Sequence, residues 1–402
     1  MKAGNFWAVI LLLSFIAVSC KQDSIFFTIA SETAPLRPRI EGSPTNMVVF
    51  YRNNVPIMYA ASGRLHWYAT APGADWPQWD LKEYAIPQPG GKVSALAVAG
   101  NRLYALCRSG YGISSTLRYI ESNGNTWETI RSESTTYPVV QSIFADPEST
   151  RLFAGAGKND QSQATYGILY LDNDTLKPLM NNTSILSGAV YHGAENTYYL
   201  STRGNGIFQI SEADLAENNI DAVQPLDVAG NSSRMFMSMM KLNDDTIIAV
   251  ERDGGAIYRV QGGSSAQMQY TTNYELINIG RYATGAHALW KDPERDLTLF
   301  INGIQGGLYY TTTISQTYGY VEFELDAEGN SFTTRYDRGS LLSVHDNDRY
   351  TASIGKHPIN HLFQAPDIID PNMTFFASTQ TEGLWSYRNR PSNGGWQWNA
   401  EE

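Results

Sequence analysis

The chain has 402 residues, of which 42 % are hydrophobic, and a formal net charge of −11. A chain of this length can bury a large core, and although it could hold two or three average domains, large all-β folds also reach this size as one domain. The acidic balance argues against binding to nucleic acid or directly to anionic lipid headgroups, because both favour basic surfaces.

The first predicted element, at residues 1–19, is a secretory signal peptide. Lys2 precedes an apolar stretch at 6–18 that is interrupted only by Ser14, and small residues lead to Cys20. This layout is typical of an exported chain. The stretch is shorter than the roughly 20 residues that span a bilayer.

Ala17-Val18-Ser19-Cys20 resembles the lipobox of bacterial lipoproteins, with Ala17 where that family most often has leucine. The resemblance implies that Cys20 is acylated, for example with palmitate, and that several acyl chains hold the protein at a membrane of the cell envelope. Lys21 differs from the aspartate that retains many lipoproteins in the inner membrane, which favours the outer membrane and a periplasmic or surface-facing chain. The alternative is an ordinary signal peptide followed by a coincidental cysteine.

Residues 20–44 are predicted to form the lipidated tether. Pro35, Pro38 and Pro44 indicate extended chain, and a strand-like run at 25–29 comes before them.

The rest of the chain repeats one short pattern, in which an aliphatic residue commonly lies between a glycine and an aromatic residue. Taking the aliphatic residue as the marker, the copies are at Leu65, Leu117, Ile168, Ile207, Ile257, Leu308 and Leu384. Most intervals are close to fifty residues, one is shorter, and the interval from 308 to 384 is longer. Self-similarity at such a period indicates a repeat architecture.

Each repeat contains enough strand-like runs for one four-stranded sheet. Two runs precede every marker, and several markers are followed by a poorer fourth run, as at 126–130 and 396–398. Four strands in about fifty residues, seven times over, predict an all-β fold, a seven-bladed β-propeller over residues 45–402. The aromatic residues are expected to pack between blades. A two-domain β-sandwich is the alternative, but it would not produce this period.

The long interval is predicted to hold an insertion at 311–356. It has strand-like pieces at 320–324 and 332–336. Long insertions in compact repeats are often functional or else disordered. This one has enough aromatic and aliphatic residues to be ordered. If it covers a mouth of the propeller, we expect it to determine partner specificity.

Two resemblances add to the repeat. The lipobox context, the segment 24–29 and the repeat together resemble spirochaete-type propeller lipoproteins, without a motif specific enough to imply a function. Residues 120–127 resemble a degenerate Asp-box, the hairpin of sialidases and other propellers, with its Gly-x-Thr-Trp half intact at 124–127. That box is a structural hairpin and implies no catalysis.

No motif selects a catalytic, metal or cofactor site. A glycosidase needs two carboxylates across a sugar-sized gap, and 40 acidic residues provide many pairs by chance. The pair His357 and His361 has metal-ligand spacing only on a helix, which Pro358 opposes. Cys107 lies in a strand-like run and is predicted to be a buried small hydrophobe without a disulfide partner.

Function is expected where the innermost strands begin, at one mouth of the central channel. The candidate ligand- or partner-binding residues there and in the neighbouring loops are Asn46, Gln141, Arg203, Arg252, Asn360 and Glu382. We predict a non-catalytic interaction scaffold whose partner is an unknown envelope protein. The alternatives are a carbohydrate- or small-ligand-binding propeller with a glycan ligand, or a propeller enzyme of the glycosidase or lyase kind. No cofactor and no nucleic-acid partner are expected.

Overall fold

The computed structural model describes residues 40, 42–71, 73, 77–109, 114–158, 166–182, 184–227, 234–243, 246–251, 257–261, 264–267, 269–271, 283–292, 297–304, 320–325, 331–334, 359–380, 383–390 and 395–401. One compact unit spans Pro38–Glu401. The predicted signal peptide, Cys20 and most of the predicted tether lie outside the described residues. In the described parts, no helix is long and apolar enough to cross a membrane.

Within these ranges the strands form seven sheets, each built from strands that follow one another along the chain. The first strands of the sheets are β1 (Asn46–Arg52), β5 (Lys92–Ala99), β10 (Val139–Ala145), β14 (Leu186–His192), β18 (Phe236–Asn243), β23 (Ala283–Asp292) and β27 (Ile359–Gln364). The second strands are β2 (Val55–Ala61), β6 (Arg102–Arg108), β11 (Leu152–Gly157), β15 (Thr197–Thr202), β19 (Thr246–Glu251), β24 (Leu297–Ile304) and β28 (Met373–Thr379).

The third strands are β3 (Leu65–Ala69), β7 (Ser115–Glu121), β12 (Tyr166–Asp172), β16 (Ile207–Ser211), β20 (Ile257–Gln261), β25 (Tyr320–Leu325) and β29 (Leu384–Arg390). The fourth strands are β4 (Gln78–Trp79), β8 (Glu128–Thr129), β13 (Thr175–Asn182), β17 (Gln224–Leu226), β21 (Ser264–Gln267), β26 (Ser331–Thr334) and β30 (Gly395–Ala400). Two sheets have a fifth, parallel strand at the outer edge: β9 (Arg131–Ser132) beside β13 and β22 (Gln269–Thr271) beside β26. The sheets are blade 1 (β1–β4), blade 2 (β5–β8), blade 3 (β9–β13), blade 4 (β14–β17), blade 5 (β18–β21), blade 6 (β22–β26) and blade 7 (β27–β30).

The few helical segments lie in connections between strands. Short 3₁₀ segments lie at Lys82–Tyr84, Gly193–Glu195 and Ile220–Ala222. Among the described residues there is one short α-helix, α1 (Glu212–Ala216), which the Ser211 side chain caps by accepting a hydrogen bond from the Asp214 N–H. A hydroxyl at this position satisfies a donor that the first helical turn leaves open.

The first strands form a closed ring around a central channel. Each contacts the next, and β27 contacts β1. The strands run in the same direction, because starts adjoin starts and ends adjoin ends. The Met47 N–H donates to His361 Nε2 near the starts of β1 and β27 at 3.0 Å, and the Lys291 N–H donates to Gln364 Oε1 near the ends of β23 and β27 at 3.1 Å. This arrangement confirms the predicted all-β propeller.

The repeat markers are core residues. All six that the structure describes are at most 3 % exposed: Leu65, Leu117, Ile168, Ile207, Ile257 and Leu384. The seventh, Leu308, lies outside the described residues. The glycine–aliphatic–aromatic pattern therefore follows the third strand of each blade, where the aliphatic side chain is buried.

The predicted insertion at 311–356 needs a correction. Strands β25 and β26 lie inside it, and they pair with β24 to complete blade 6. The third strand of this blade therefore starts at Tyr320 instead of at the marker Leu308. The strand-like pieces at 320–324 and 332–336 are therefore strands of the repeat itself and do not form a separate insertion. The remaining residues, 311–319 and 335–356, lie outside the described parts.

Aromatic and aliphatic side chains fill the interfaces between blades, as predicted. Phe153 of blade 3 lies 5.0 Å from Tyr198 of blade 4, between ring centroids. Trp290 of blade 6 stacks on Phe375 of blade 7 at 5.2 Å. Cys107 is free and buried in the apolar cluster between blades 1 and 2, and burial raises the pKa of its thiol.

The hairpin that resembles an Asp-box belongs to blade 2 and forms hydrogen bonds that tie it to blade 1. The Gly124 N–H donates to the Glu121 carbonyl in the turn between β7 and β8 at 2.9 Å. Arg52 of blade 1 donates to the Gly124 carbonyl at 2.7 Å, and Trp127 Nε1 donates to the Pro87 carbonyl at 2.6 Å. The hairpin thus holds two blades together, which is the structural role expected from the sequence.

The first and last blades, 1 and 7, meet at an interface that we call the seam. No described strand of one blade joins the sheet of the other. Tyr68, Trp79 and Phe376 form an aromatic cluster there, with Phe376 edge-on to both other rings. Trp79 Nε1 donates to the Glu401 carboxylate at 2.9 Å, so the residue after the last strand is tied to blade 1. Ser378 Oγ adds a hydrogen bond to the Pro44 carbonyl at 2.7 Å.

A buried charge network reinforces the seam. Arg388 Nη2 donates to the Tyr68 hydroxyl at 2.7 Å and lies 3.2 Å from Glu401 and 3.9 Å from Asp370. Burial alone would lower the pKa of Arg388, but the nearby Glu401 and Asp370 carboxylates and the Tyr68 oxygen raise it instead. The pKa of Tyr68 is raised, chiefly by burial. Arg388 therefore stays charged and neutralises two buried carboxylates.

Candidate functional site

A cavity of about 770 Å³ occupies the central channel. We call its two ends the start mouth and the end mouth, after the ends of the first strands that form them. The start mouth includes Asn46, Ser187, Arg203 and Asn360, and the end mouth includes Tyr51, Pro147, Pro366 and Ile368. The channel therefore changes along its length from a polar to an apolar lining.

A β-bulge recurs close to the start of six of the seven first strands. The ladder between the first and second strands shifts register at Ser94, Gln141, Ser187, Met237 and Asn360, and over a longer irregular stretch that contains Gly285. A bulge places two residues opposite one and re-aims the side chain there. Two of these positions, Gln141 and Asn360, are candidate site residues from the sequence, and three of the bulge positions, Ser187, Met237 and Asn360, line the cavity.

Asn46 lies in the cavity wall, but its amide joins two blades. Its Oδ1 accepts a hydrogen bond from the Leu96 N–H at 2.9 Å and its Nδ2 donates to the Leu96 carbonyl at 2.6 Å. Thr45 Oγ1 adds a hydrogen bond to the Ser94 carbonyl at 2.7 Å. With both ends of its amide used by β5, Asn46 positions the wall, and the ligand-binding role predicted for it is untested.

The other predicted site residues are distributed unevenly. Arg203 and Asn360 line the cavity together at the start mouth. Gln141 is not among the residues that line it: its carbonyl accepts a hydrogen bond from Arg108 of blade 2. Arg252 and Glu382 lie outside the described residues. With Asn46, three of the six predicted residues therefore line this one cavity.

Two histidines that the sequence analysis did not select also line the cavity. His287 and His361 occupy the same place in blades 6 and 7, the point where the ladder resumes after the irregular stretch. His361 Nε2 accepts the Met47 N–H, so its ring proton is on Nδ1. Burial, with a smaller effect of His287, lowers the pKa of His361 to about 3, and the ring is neutral at pH 7.

Ser238 is the third lining residue that the sequence analysis missed. It is 4 % exposed, and its hydroxyl has no hydrogen-bond partner among the described residues. Ser142 occupies the equivalent position in blade 3, and its hydroxyl donates to the Leu186 carbonyl of blade 4 at 3.0 Å. The sequence does contain one signal for these lining residues: a serine or histidine follows the bulge in blades 3, 5, 6 and 7.

The described lining of the cavity contains a cationic side chain but no anionic one. Arg203, His287 and His361 are its ionisable side chains other than tyrosine, and no carboxylate lines the cavity among the described residues. The described residues also contain no cluster of three or more histidine, cysteine or acidic side chains suited to a metal ion. The described residues of the start mouth can therefore offer the positive charge of Arg203 and neutral donors to a ligand.

No protein-family model matches the chain, and no curated protein matches it. Among solved structures, a GH74 xyloglucanase from Xanthomonas campestris is similar with a TM-score of 0.50 and 13 % identity, over 89 % of this chain and 54 % of that one. The periplasmic gluconolactonase of Pseudomonas aeruginosa is similar with a TM-score of 0.52 and 11 % identity, over 88 % and 96 %. This chain spans about half the length of the xyloglucanase. At such identities the likeness shows the propeller fold alone.

Proposed function

We propose that this chain is an exported, lipid-anchored β-propeller that binds a small sugar-derived ligand in its central channel. The observation that carries the proposal is the cavity of about 770 Å³ with a polar start mouth. Small-molecule sites are commonly 300–1,000 Å³, mostly apolar, with a few polar groups that orient the ligand. The lining of this channel, which is polar at the start mouth and apolar at the end mouth, has that character.

The structural neighbours support a sugar-derived ligand. One is named for action on xyloglucan and the other for action on a gluconolactone. Fold does not determine function, so this support is secondary to the cavity. It favours the ligand-binding alternative over the protein-interaction scaffold that the sequence suggested first, and the scaffold stays a prediction that in-cell crosslinking tests.

Calorimetric titration of the purified lipidated chain in detergent tests the ligand. The panel contains a xyloglucan oligosaccharide, D-gluconate, D-glucose and D-sorbitol. We expect at least one of them to bind with saturation, and to protect the protein against thermal unfolding as mass action requires. No binding by any sugar-derived compound at 10 mM would contradict the proposal.

The lipid anchor has its own test. Changing Cys20 to alanine removes the thiol that the lipobox resemblance implies is acylated. We expect the variant to leave the membrane fraction and to lose labelling by a radioactive fatty acid, while Cys107→Ala keeps both. Retention and labelling of the Cys20→Ala protein would contradict the anchor.

A further inference from the structure

The part of the start mouth that the structure describes differs in charge from the protein as a whole. The chain carries a formal net charge of −11, yet the described lining of the cavity contains one arginine, two histidines and no carboxylate. A local field opposite in sign to the net charge attracts small anions and repels cations. This contrast raises the question of which ligand group the start mouth takes.

Neutral donors lie in the same space as the arginine. The Ser238 hydroxyl is buried without a partner among the described residues and lines the cavity. An unsatisfied buried hydroxyl costs free energy unless a ligand or water pairs with it. The site therefore contains a hydroxyl, that of Ser238, with which a ligand can form a hydrogen bond.

His361 adds a second neutral donor. Because its Nε2 accepts the Met47 N–H, its Nδ1 carries a proton and donates. No other hydrogen bond to a described residue uses that proton, and His361 lines the cavity. An oxygen with full negative charge accepts such donors more strongly than a neutral hydroxyl does.

We propose that the start mouth is a carboxylate site, in which Arg203, Ser238 and His361 hold the acid group of a sugar acid. The guanidinium supplies the charge, and the hydroxyl and the ring N–H orient the carboxylate oxygens. The sugar end of the ligand then lies toward the apolar half of the channel. This inference rests on the proposed function and specifies its ligand class.

Calorimetric titration with three probes tests the proposal on the full lipidated chain. D-gluconate carries both a carboxylate and a polyol, D-sorbitol is its neutral polyol counterpart, and succinate is a carboxylate without a sugar. We expect gluconate to bind at least about tenfold more tightly than either of the others. We also expect its affinity to fall when the salt concentration rises, since salt screens the attraction between charges.

Two substitutions locate the site. Arg203→Gln should weaken gluconate binding by about tenfold or more, and Ser238→Ala by a few-fold, with little effect on sorbitol. Arg131→Gln removes an exposed arginine from the outer strand β9 of blade 3 and should leave the affinity unchanged. Thermal unfolding of each variant verifies that it is folded.

Each outcome separates this inference from the proposed function. Equal binding of sorbitol and gluconate would overturn the carboxylate site and leave the sugar-derived ligand in place. Equal binding of succinate and gluconate would keep the carboxylate site but overturn the sugar-derived ligand. Unchanged gluconate binding by Arg203→Gln would overturn the placement of the site, and no binding of any probe at 10 mM would overturn both proposals.

Discussion

Replacing His361 with glutamine is expected to remove an acid-sensitive component of stability. The folded chain holds His361 neutral, with its pKa lowered to about 3 by burial and by His287, whereas the unfolded chain has the ordinary value of about 6.5. The unfolded state therefore binds the extra proton first as the pH falls. Stability from this residue is complete above about pH 6.5 and is lost as the pH falls from there toward 3.

The size of the effect follows from that difference in pKa. Each unit is worth about 1.4 kcal/mol, so lowering the pH from 7.5 to 4.5 should cost about 2–3 kcal/mol through His361 alone. At about 2.1 cal/mol/K of unfolding entropy per residue, a unit the size of Pro38–Glu401 should lose about 3–4 °C in Tm. Other groups titrate over the same range, so the informative quantity is the difference between two proteins.

Glutamine is the appropriate replacement because its side-chain oxygen can still accept the Met47 N–H. Urea unfolding and thermal unfolding, followed by circular dichroism at pH 7.5 and 4.5, measure the difference. We expect the glutamine variant to lose about 2–3 kcal/mol less than the wild type between the two pH values. An identical loss in both proteins would refute the argument that His361 folds as a neutral ring.

Three further substitutions test the joints between blades. Arg388→Met should cost about 3–5 kcal/mol, because two buried carboxylates lose their cation, and the exposed Arg131→Met should cost little; urea unfolding compares them. Gly188→Ala should cost about 1–3 kcal/mol, since a Cβ there would lie 2.8 Å from Ser201 Oγ and 3.1 Å from the Met239 backbone nitrogen. Gly193→Ala, where the nearest atom is at 4.0 Å, is its control in thermal unfolding. Asn46→Ala should cost about 1–3 kcal/mol by leaving the Leu96 backbone groups unpaired, and equal midpoints of urea unfolding in the variant and the wild type would contradict this.

The sequence predicted the architecture because the repeat is a property of local strand patterns. The marker residues are buried in the third strands wherever the structure describes them, since a third strand has neighbours on both edges and on both faces. In blade 6 the fifty-residue repeat predicted the wrong position for the third strand, because β25 begins at Tyr320 and not at the marker Leu308. The glycine–aliphatic–aromatic pattern at 307–309 is a short local match, and only pairing with β24 identifies the true third strand.

The candidate site was harder to predict than the fold. Asn46 and Arg203 both lie at the start mouth, but only the hydrogen bonds show that the Asn46 amide is used by Leu96. In the sequence, the only feature that draws attention to His361 is its spacing from His357, four residues before it, which is a metal-ligand spacing. Its actual neighbours come from blades 1 and 6, which are remote in sequence, so no local spacing could indicate its role.

The seam between blades 1 and 7 has a consequence for how such a chain can change in length. Every described blade is built from consecutive strands, so a blade is also one continuous stretch of sequence. Duplicating or deleting such a stretch leaves each remaining sheet complete and alters only the angle through which the ring must close. The residues at the seam, from Tyr68 and Trp79 to Arg388 and Glu401, are then the ones that fix the number of blades, because they pair correctly only when the first and last blades meet at the right distance.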